Sequence, residues 1–194
     1  MSSKCGIIVL ILAALARQAC LWADPPPFPL GLDGGEVDVF ADAEARALVC
    51  FFVEENCPIS NRYVPRMKAL ASDWSQAGVT FYTVYPSMDT TSESVRLHRK
   101  EYDLEIPALI DREHVLVSRS QASVTPECSV FARKENGEFE LVYHGRIDDQ
   151  YLAFGKWRRA PLQHDLRDTL IDICQGRPPA FRTEQAVGCY ISKD

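Results

Sequence analysis

The chain has 194 residues, 46% of them hydrophobic and 25% charged, and a net charge of −6. That balance excludes a disordered acidic chain, a collagen-like repeat and a tiny disulfide-stapled scaffold. It also argues against a nucleic-acid binder, because phosphate contacts draw on a surplus of Lys and Arg.

Lys4 precedes an eleven-residue apolar run, Gly6–Ala16, which is too short to span a bilayer and suits the core of a signal peptide. Ala14-Leu15-Ala16 and Leu21-Trp22-Ala23 both offer small-residue cleavage sites. Cleavage after Ala23 removes Lys4 and Arg17 and no acid, so the net charge moves from −6 to −8. A buried N-terminal helix is the competing reading, but the run has no amphipathic period and Pro25, Pro26 and Pro27 follow it. A lipoprotein reading through Cys20 is disfavoured by Arg17. Residues 1–23 therefore read as a signal peptide, and the product as an exported protein, periplasmic or secreted. No second long apolar run follows, so no membrane association is expected after cleavage.

Residues 24–36 form a Pro/Gly-rich lead-in, and a single domain is expected over 37–176 with a tail over 177–194. Ala47–Val53 is an unbroken apolar run of strand length, as expected for a strand buried on both faces. Cys57-Pro58 opens a helix whose apolar stripe is Tyr63, Val64, Met67, Leu70, Ala71 and Trp74, closed by Gly78. Val79–Tyr85 is the next strand, rich in β-branched and aromatic residues. Thr91–Tyr102 reads as a polar surface helix with Thr91 or Ser92 as cap. Pro107–Ile110 is a short apolar run and His114–Gln121 a short helix. Cys128–Ala132 and Phe139–Tyr143 are strands around the hairpin signal Asn136-Gly137. Leu162–Cys174 is the last helix, with Leu166, Leu170, Ile173 and Cys174 inward, stopped by Gly176-Arg177-Pro178-Pro179.

Parallel βαβ followed by an antiparallel hairpin and a helix is the thioredoxin-type order: an α/β fold with a central mixed sheet flanked by helices, here with a C-terminal tail extension. In that order Cys57 sits where a buried strand gives way to a helix. Unpaired amides and the positive end of the helix dipole stabilise a thiolate there. Cys50, mid-strand, reads instead as apolar filler. Thr125-Pro126 precedes the hairpin strand; in this type of sheet such a proline is cis, lies against the reactive cysteine and leaves a backbone edge open for a substrate chain. The turn Gly145–Asp149 should return to the same end, where Asp148 or Asp149 could move protons for a thiol or merely cap a solvated turn.

Glu55-Asn56-Cys57-Pro58-Ile59-Ser60-Asn61-Arg62-Tyr63, Val84-Tyr85-Pro86, Thr125-Pro126-Glu127, Tyr143-His144-Gly145-Arg146-Ile147-Asp148-Asp149 and Gly188-Cys189-Tyr190-Ile191 together resemble a peroxiredoxin-like redoxin family. It is the alkyl hydroperoxide reductase/thiol-specific antioxidant group of the thioredoxin superfamily, and the likeness covers about residues 37–191. The resemblance implies a thioredoxin fold and oxidoreductase or antioxidant activity. A thiol or disulfide partner protein or a peroxide would be the substrate, with no cofactor and no metal. Cys57 matches the first cysteine of the thioredoxin C-x-x-C, with Ser60 in the second place. Peroxiredoxins carry their peroxidatic cysteine in that second place, so the usual peroxidase constellation is missing here.

A single thiol needs a partner to release a mixed disulfide or sulfenic acid. Seven cysteines are present, and removing Cys5 and Cys20 leaves Cys50, Cys57, Cys128, Cys174 and Cys189, an odd number. Cys189, behind Gly188 on the tail, is the favoured resolving thiol, provided the tail brings the two Cα atoms within about 7 Å. Structural bridges from Cys189 to Cys174 or Cys128 are the alternatives. Thus Cys57 and Cys189 are the candidate catalytic pair, and Thr125, Pro126, Asp148 and Asp149 the candidate substrate-contacting residues. Two other functions compete: a Cu(I)-binding or delivery protein using Cys57, Cys189 and one of His98, His114, His144 or His164, and a non-catalytic partner-binding module. Oligomeric state is left open by the sequence.

Overall fold

A computed structural model of the chain describes residues 28–177 and 179–192. The expected signal peptide, residues 1–23, lies outside the described residues. In chain order the elements are β1 (Leu30–Gly31), β2 (Ala47–Phe52), α1 (Pro58–Trp74), β3 (Val79–Tyr85), α2 (Ser92–Glu101), β4 (Ala108–Ile110), α3 (Val115–Ser120), β5 (Val124–Thr125), β6 (Glu127–Arg133), β7 (Phe139–Gly145), β8 (Tyr151–Ala153), β9 (Lys156–Trp157), α4 (Asp165–Cys174), β10 (Arg182–Glu184) and β11 (Cys189–Tyr190).

The main sheet runs β1-β4-β3-β2-β6-β7-β10. Strands β2, β3 and β4 are parallel; β6 is antiparallel to β2 and β7 antiparallel to β6. This is the mixed thioredoxin-type order predicted from the hydrophobic pattern. Every residue of β2 is buried, and its two-residue period divides them between two cores. Ala47, Val49 and Phe51 join Tyr63, Val64 and Met67 of α1 and Leu166 and Leu170 of α4. Leu48, Cys50 and Phe52 join Leu116 and Val117 of α3 on the other face. The short α3 is held by Asp111, whose buried carboxylate accepts from the N–H groups of Val115, Leu116 and Val117. Among the described residues no helix is long and apolar enough to cross a membrane.

Four differences from the sequence reading matter. The lead-in contributes β1, paired antiparallel with Leu109 and Ile110. Helix α4 begins at Asp165 rather than Leu162, because the N–H groups of Leu162 and Gln163 are drawn to Asp149 Oδ1 at 2.6 and 2.9 Å. A small hairpin, β8–β9, follows the Gly145–Asp149 turn. The largest difference is the tail. It lays β10 parallel to β7 at the sheet edge and β11 antiparallel to β5. Two glycines permit this. A Cβ at Gly145, where φ is +140°, would lie 2.0 Å from Glu184 O, and one at Gly188 would lie 2.1 Å from Thr125 O.

Candidate active site

Cys57 is the N-cap of α1, extended at φ −84° and ψ 110°, and Pro58 takes the first helical position, where a missing N–H costs nothing. The loop before it is fastened from two sides. Asn61 Nδ2 donates to Glu55 O at 2.9 Å, and Glu55 accepts from Ser94 Oγ at 2.8 Å and from Thr90 Oγ1. Asn61 Oδ1 in turn meets His98 Nε2 at 2.9 Å, and His98 Nδ1 meets the Tyr85 hydroxyl at 3.0 Å. Because the Asn61 amide already donates through Nδ2, its Oδ1 accepts, so His98 carries its hydrogen on Nε2 and accepts from Tyr85 on Nδ1. Burial of His98 keeps its pKa low despite Glu55 and Glu101, in keeping with this neutral tautomer.

The structure brings three of the sequence-predicted site residues to one point. Cys57 Sγ donates to Thr125 O at 3.0 Å, and Cys189 Sγ donates to Cys57 Sγ at 2.9 Å. The Thr125–Pro126 peptide is cis. The β5 edge expected to be open is occupied, with Cys189 paired to Thr125 and Tyr190 to Val124. Cys57 is consequently fully buried. Burial pushes its thiol up, but the Cys189 thiol, the N–H groups of Ser60 and Cys189 and the Ser60 hydroxyl together bring it below the ordinary thiol value. Cys189 goes the other way: burial, its hydrogen bond to Cys57 and the Cys57 and Glu54 charges raise it to about 12. Cys50 and Cys128, deep in hydrocarbon, are also raised. All five cysteines among the described residues are thiols, so neither Cys174 nor Cys128 is bridged to Cys189.

The buried Ser60 and Thr125 hydroxyls have no partner at hydrogen-bond distance among the described residues. The Ser60 hydroxyl still faces the Cys57 sulfur closely enough to favour its thiolate. Glu127 stands in the Thr125-Pro126-Glu127 motif, but sequence reasoning assigned it no role of its own. Its buried Oε2 accepts from Ser123 N at 2.8 Å and Val124 N at 3.1 Å, and its Oε1 meets His144 Nδ1 at 3.3 Å. It thereby holds the segment that carries Thr125. A carboxylate right after a proline that opens a strand was the available signal.

Asp148 and Asp149 are buried, and both are occupied elsewhere. Asp148 Oδ1 accepts from the Tyr63 hydroxyl at 2.7 Å and from Gln150 N at 3.0 Å, and Arg66 Nε lies 3.7 Å from Oδ2. Asp149 anchors the α4 approach and lies 3.1 Å from Arg158 Nε. Burial would raise its pKa, but the Gln163 and Leu162 N–H groups and Arg158 hold it below the usual carboxylate range. Neither carboxylate is hydrogen-bonded to a cysteine sulfur; their contacts fasten α1 and α4 to the turn. Three of the four histidines weighed for a metal are likewise engaged elsewhere: His98 with Tyr85 and Asn61, His144 with Glu127, and His114 with Pro86 O at 2.9 Å. Among the described residues no group of three His, Cys, Asp or Glu side chains gathers as a metal site.

The AhpC/TSA family model matches residues 25–140. The chain belongs to the AhpC/TSA family. That match confirms the resemblance drawn from the Cys57 and Pro126 motifs and places this protein among the peroxiredoxin-like redoxins. Solved structures agree on the fold. A hypothetical protein from Sinorhizobium meliloti is 24% identical, with a TM-score of 0.68, covering 85% of this chain and 90% of its own. An uncharacterized conserved protein from Geobacillus kaustophilus is 23% identical, with a TM-score of 0.67 and coverages of 87% and 89%. A putative thioredoxin from Neisseria meningitidis is 20% identical, with a TM-score of 0.53 and coverages of 78% and 89%. No curated protein matches the chain significantly.

Proposed function

We propose that this AhpC/TSA family member is a thiol–disulfide oxidoreductase with Cys57 as nucleophile and Cys189 as resolving thiol. The observation that carries this reading is the 2.9 Å approach of Cys189 Sγ to Cys57 Sγ at the N-cap of α1. Three features support it. Cys57 has the lower pKa of the pair and is the better attacking sulfur at neutral pH. Cys189 keeps its proton until Cys57 is consumed. Thr125 O, beside the cis-Pro126, lies against the nucleophile, where a partner chain would be read.

Attack by the Cys57 thiolate on a partner disulfide forms a mixed disulfide and expels one partner thiolate, which takes up a proton. Cys189 then gives up its proton and attacks Cys57 Sγ. The second partner thiol leaves, and Cys57–Cys189 remains as the oxidised product. Two electrons pass to the partner disulfide. Regeneration requires a reducing thiol from outside the chain.

A second reading, peroxide reduction, is favoured by the family itself. There the Cys57 thiolate attacks one peroxide oxygen, the O–O bond breaks and the other oxygen leaves, protonated, as water or an alcohol; the sulfenic acid then condenses with the Cys189 thiol with loss of water. The absence of a peroxidatic cysteine at position 60 places this reading behind disulfide exchange. Location outside the cytoplasm rests on the apolar N-terminal run alone, and suits a redox-active thiol pair.

The test is a disulfide map of protein treated with oxidised glutathione or with hydrogen peroxide, beside Cys57→Ser and Cys189→Ser variants. A Cys57–Cys189 bridge is expected, and its rate of formation with each oxidant separates the two readings. A Cys57 no more reactive to alkylation than Cys50 would sink both.

A further inference from the structure

The tail does more than deliver a sulfur, because its backbone takes the place where a partner chain would lie. Cys189 and Tyr190 pair with Thr125 and Val124, and Ile191 N donates to Ser123 O at 3.0 Å. Gly188 passes so close to Thr125 O that any Cβ there would collide. Tyr190 is 84% exposed, so β11 is held mainly by its backbone. Beside it lies a cavity of about 600 Å³ lined by Glu127, His144, Leu152, Phe154, Val187 and Tyr190. Leu152 and Phe154, on β8 and just beyond it, are themselves exposed.

We propose that the β5 edge is a seat used in turn by the tail and by an extended partner segment of the form Gly-Cys-aromatic, so that the tail is a resident competitor for its own substrate site. This rests on the oxidoreductase reading and goes beyond it, since it specifies the partner's local sequence and the order of events. The glycine is required because the Thr125 carbonyl leaves no room for a side chain. The aromatic residue is favoured because its counterpart, Tyr190, borders the cavity with Leu152 and Phe154. Cys57 becomes accessible only when β11 lifts away, and the partner segment then pairs with Val124 and Thr125 in its stead. The bonds made and broken are those of the disulfide exchange above. On its return the tail brings Cys189 to Cys57 and reclaims the edge, so resolution of the mixed disulfide and expulsion of the partner strand are one event.

The test is a full-length Gly188→Val variant, in which the new side chain drives the tail off Thr125. The probe is a peptide of residues 186–192 with Cys189→Ser, whose binding involves no redox step. A resting population that is closed at roughly nine parts in ten or more weakens apparent affinity by about tenfold or more. Iodoacetamide should therefore modify Cys57 at least about tenfold faster in the variant, and the peptide should bind the variant at least about tenfold more tightly than the native chain. A second peptide that also carries Gly188→Val should bind neither. In the native dithiol protein the Ile191 amide should exchange with solvent faster than that of Val130 and become protected once the disulfide forms. That measurement stands even where the variant fails to fold. Unchanged alkylation and peptide binding in a folded variant, or an Ile191 amide as slow as Val130 in the dithiol, overturns the proposal. Peptide binding without reduction of any disulfide would remove the oxidoreductase reading and leave the shared seat. Disulfide reduction by a chain indifferent to Gly188→Val would do the reverse.

Discussion

Cys189 Sγ donates a hydrogen bond to Cys57 Sγ across 132 residues of sequence, so ionising Cys57 leaves a thiolate that accepts the Cys189 proton's hydrogen bond. They should titrate as a pair. Thiolate absorbance at 240 nm should show the Cys57 sulfur ionising below the ordinary thiol value and the Cys189 sulfur only towards about 12. The signs for stability follow. The Cys57 contribution is present above the unfolded thiol pKa and is lost as pH falls through its lowered folded value. The Cys189 contribution is present below the unfolded pKa and is lost as pH rises towards about 12. Two overlapping steps near the ordinary thiol value would contradict this coupling.

Replacing Cys189 by alanine removes the hydrogen-bond donor to Cys57 and, on the proposed reading, the resolving nucleophile. The midpoint of Cys57 alkylation should move upward in pH, since one of the groups that lowers it is gone. A partner disulfide should then leave a persistent mixed disulfide on Cys57, seen as a stable mass adduct. Rapid release of the partner from this variant would show that some other thiol resolves it.

Gly145→Ala should detach β10. Its φ of +140° disfavours any side chain, and the added Cβ would meet Glu184 O at 2.0 Å. Backbone strain of this kind costs about 1–3 kcal/mol. Urea denaturation should show at least that loss, with faster hydrogen exchange over Arg182–Glu184. A variant as stable as the native chain would mean that the β7–β10 pairing contributes little.

Tyr63→Phe tests whether the turn after β7 is tied to α1 through Asp148. The Tyr63 hydroxyl donates to Asp148 Oδ1 at 2.7 Å in a buried setting, and losing it leaves a carboxylate short of a donor. A loss of about 1–3 kcal/mol is expected in the denaturant midpoint. An unchanged midpoint would assign the turn to Arg66 and Gln150 instead.

The βαβ core and hairpin were legible because β2, β3 and α1 carry unambiguous periods, and because Asn136-Gly137 marks its turn. Cys57 was legible from its place between a buried run and a proline. The tail was not. Arg182, Thr183 and Glu184 are all exposed and polar, so no hydrophobic pattern announces a strand; what places them is a backbone approach to a glycine 39 positions earlier. Asp148 and Asp149 lie in the expected turn, yet their donors come from Tyr63, Leu162 and Gln163, pairings that one-dimensional patterns do not encode. Asn61 and His98 escaped for the same reason: each looks like an ordinary helix-surface residue until the helices are packed.

Between the end of β10 at Glu184 and Cys189 lie four residues, 185–188. Fully stretched, that leash reaches about 17 Å. With β10 still fastened to β7, the second sulfur can swing clear of the first and yet never wander far from it. Short tethers of this kind hold a group at an effective concentration in the millimolar range. A liberated Cys189 would therefore outpace dilute thiols in the surroundings, and the lifetime of any adduct on Cys57 would be set from within the molecule.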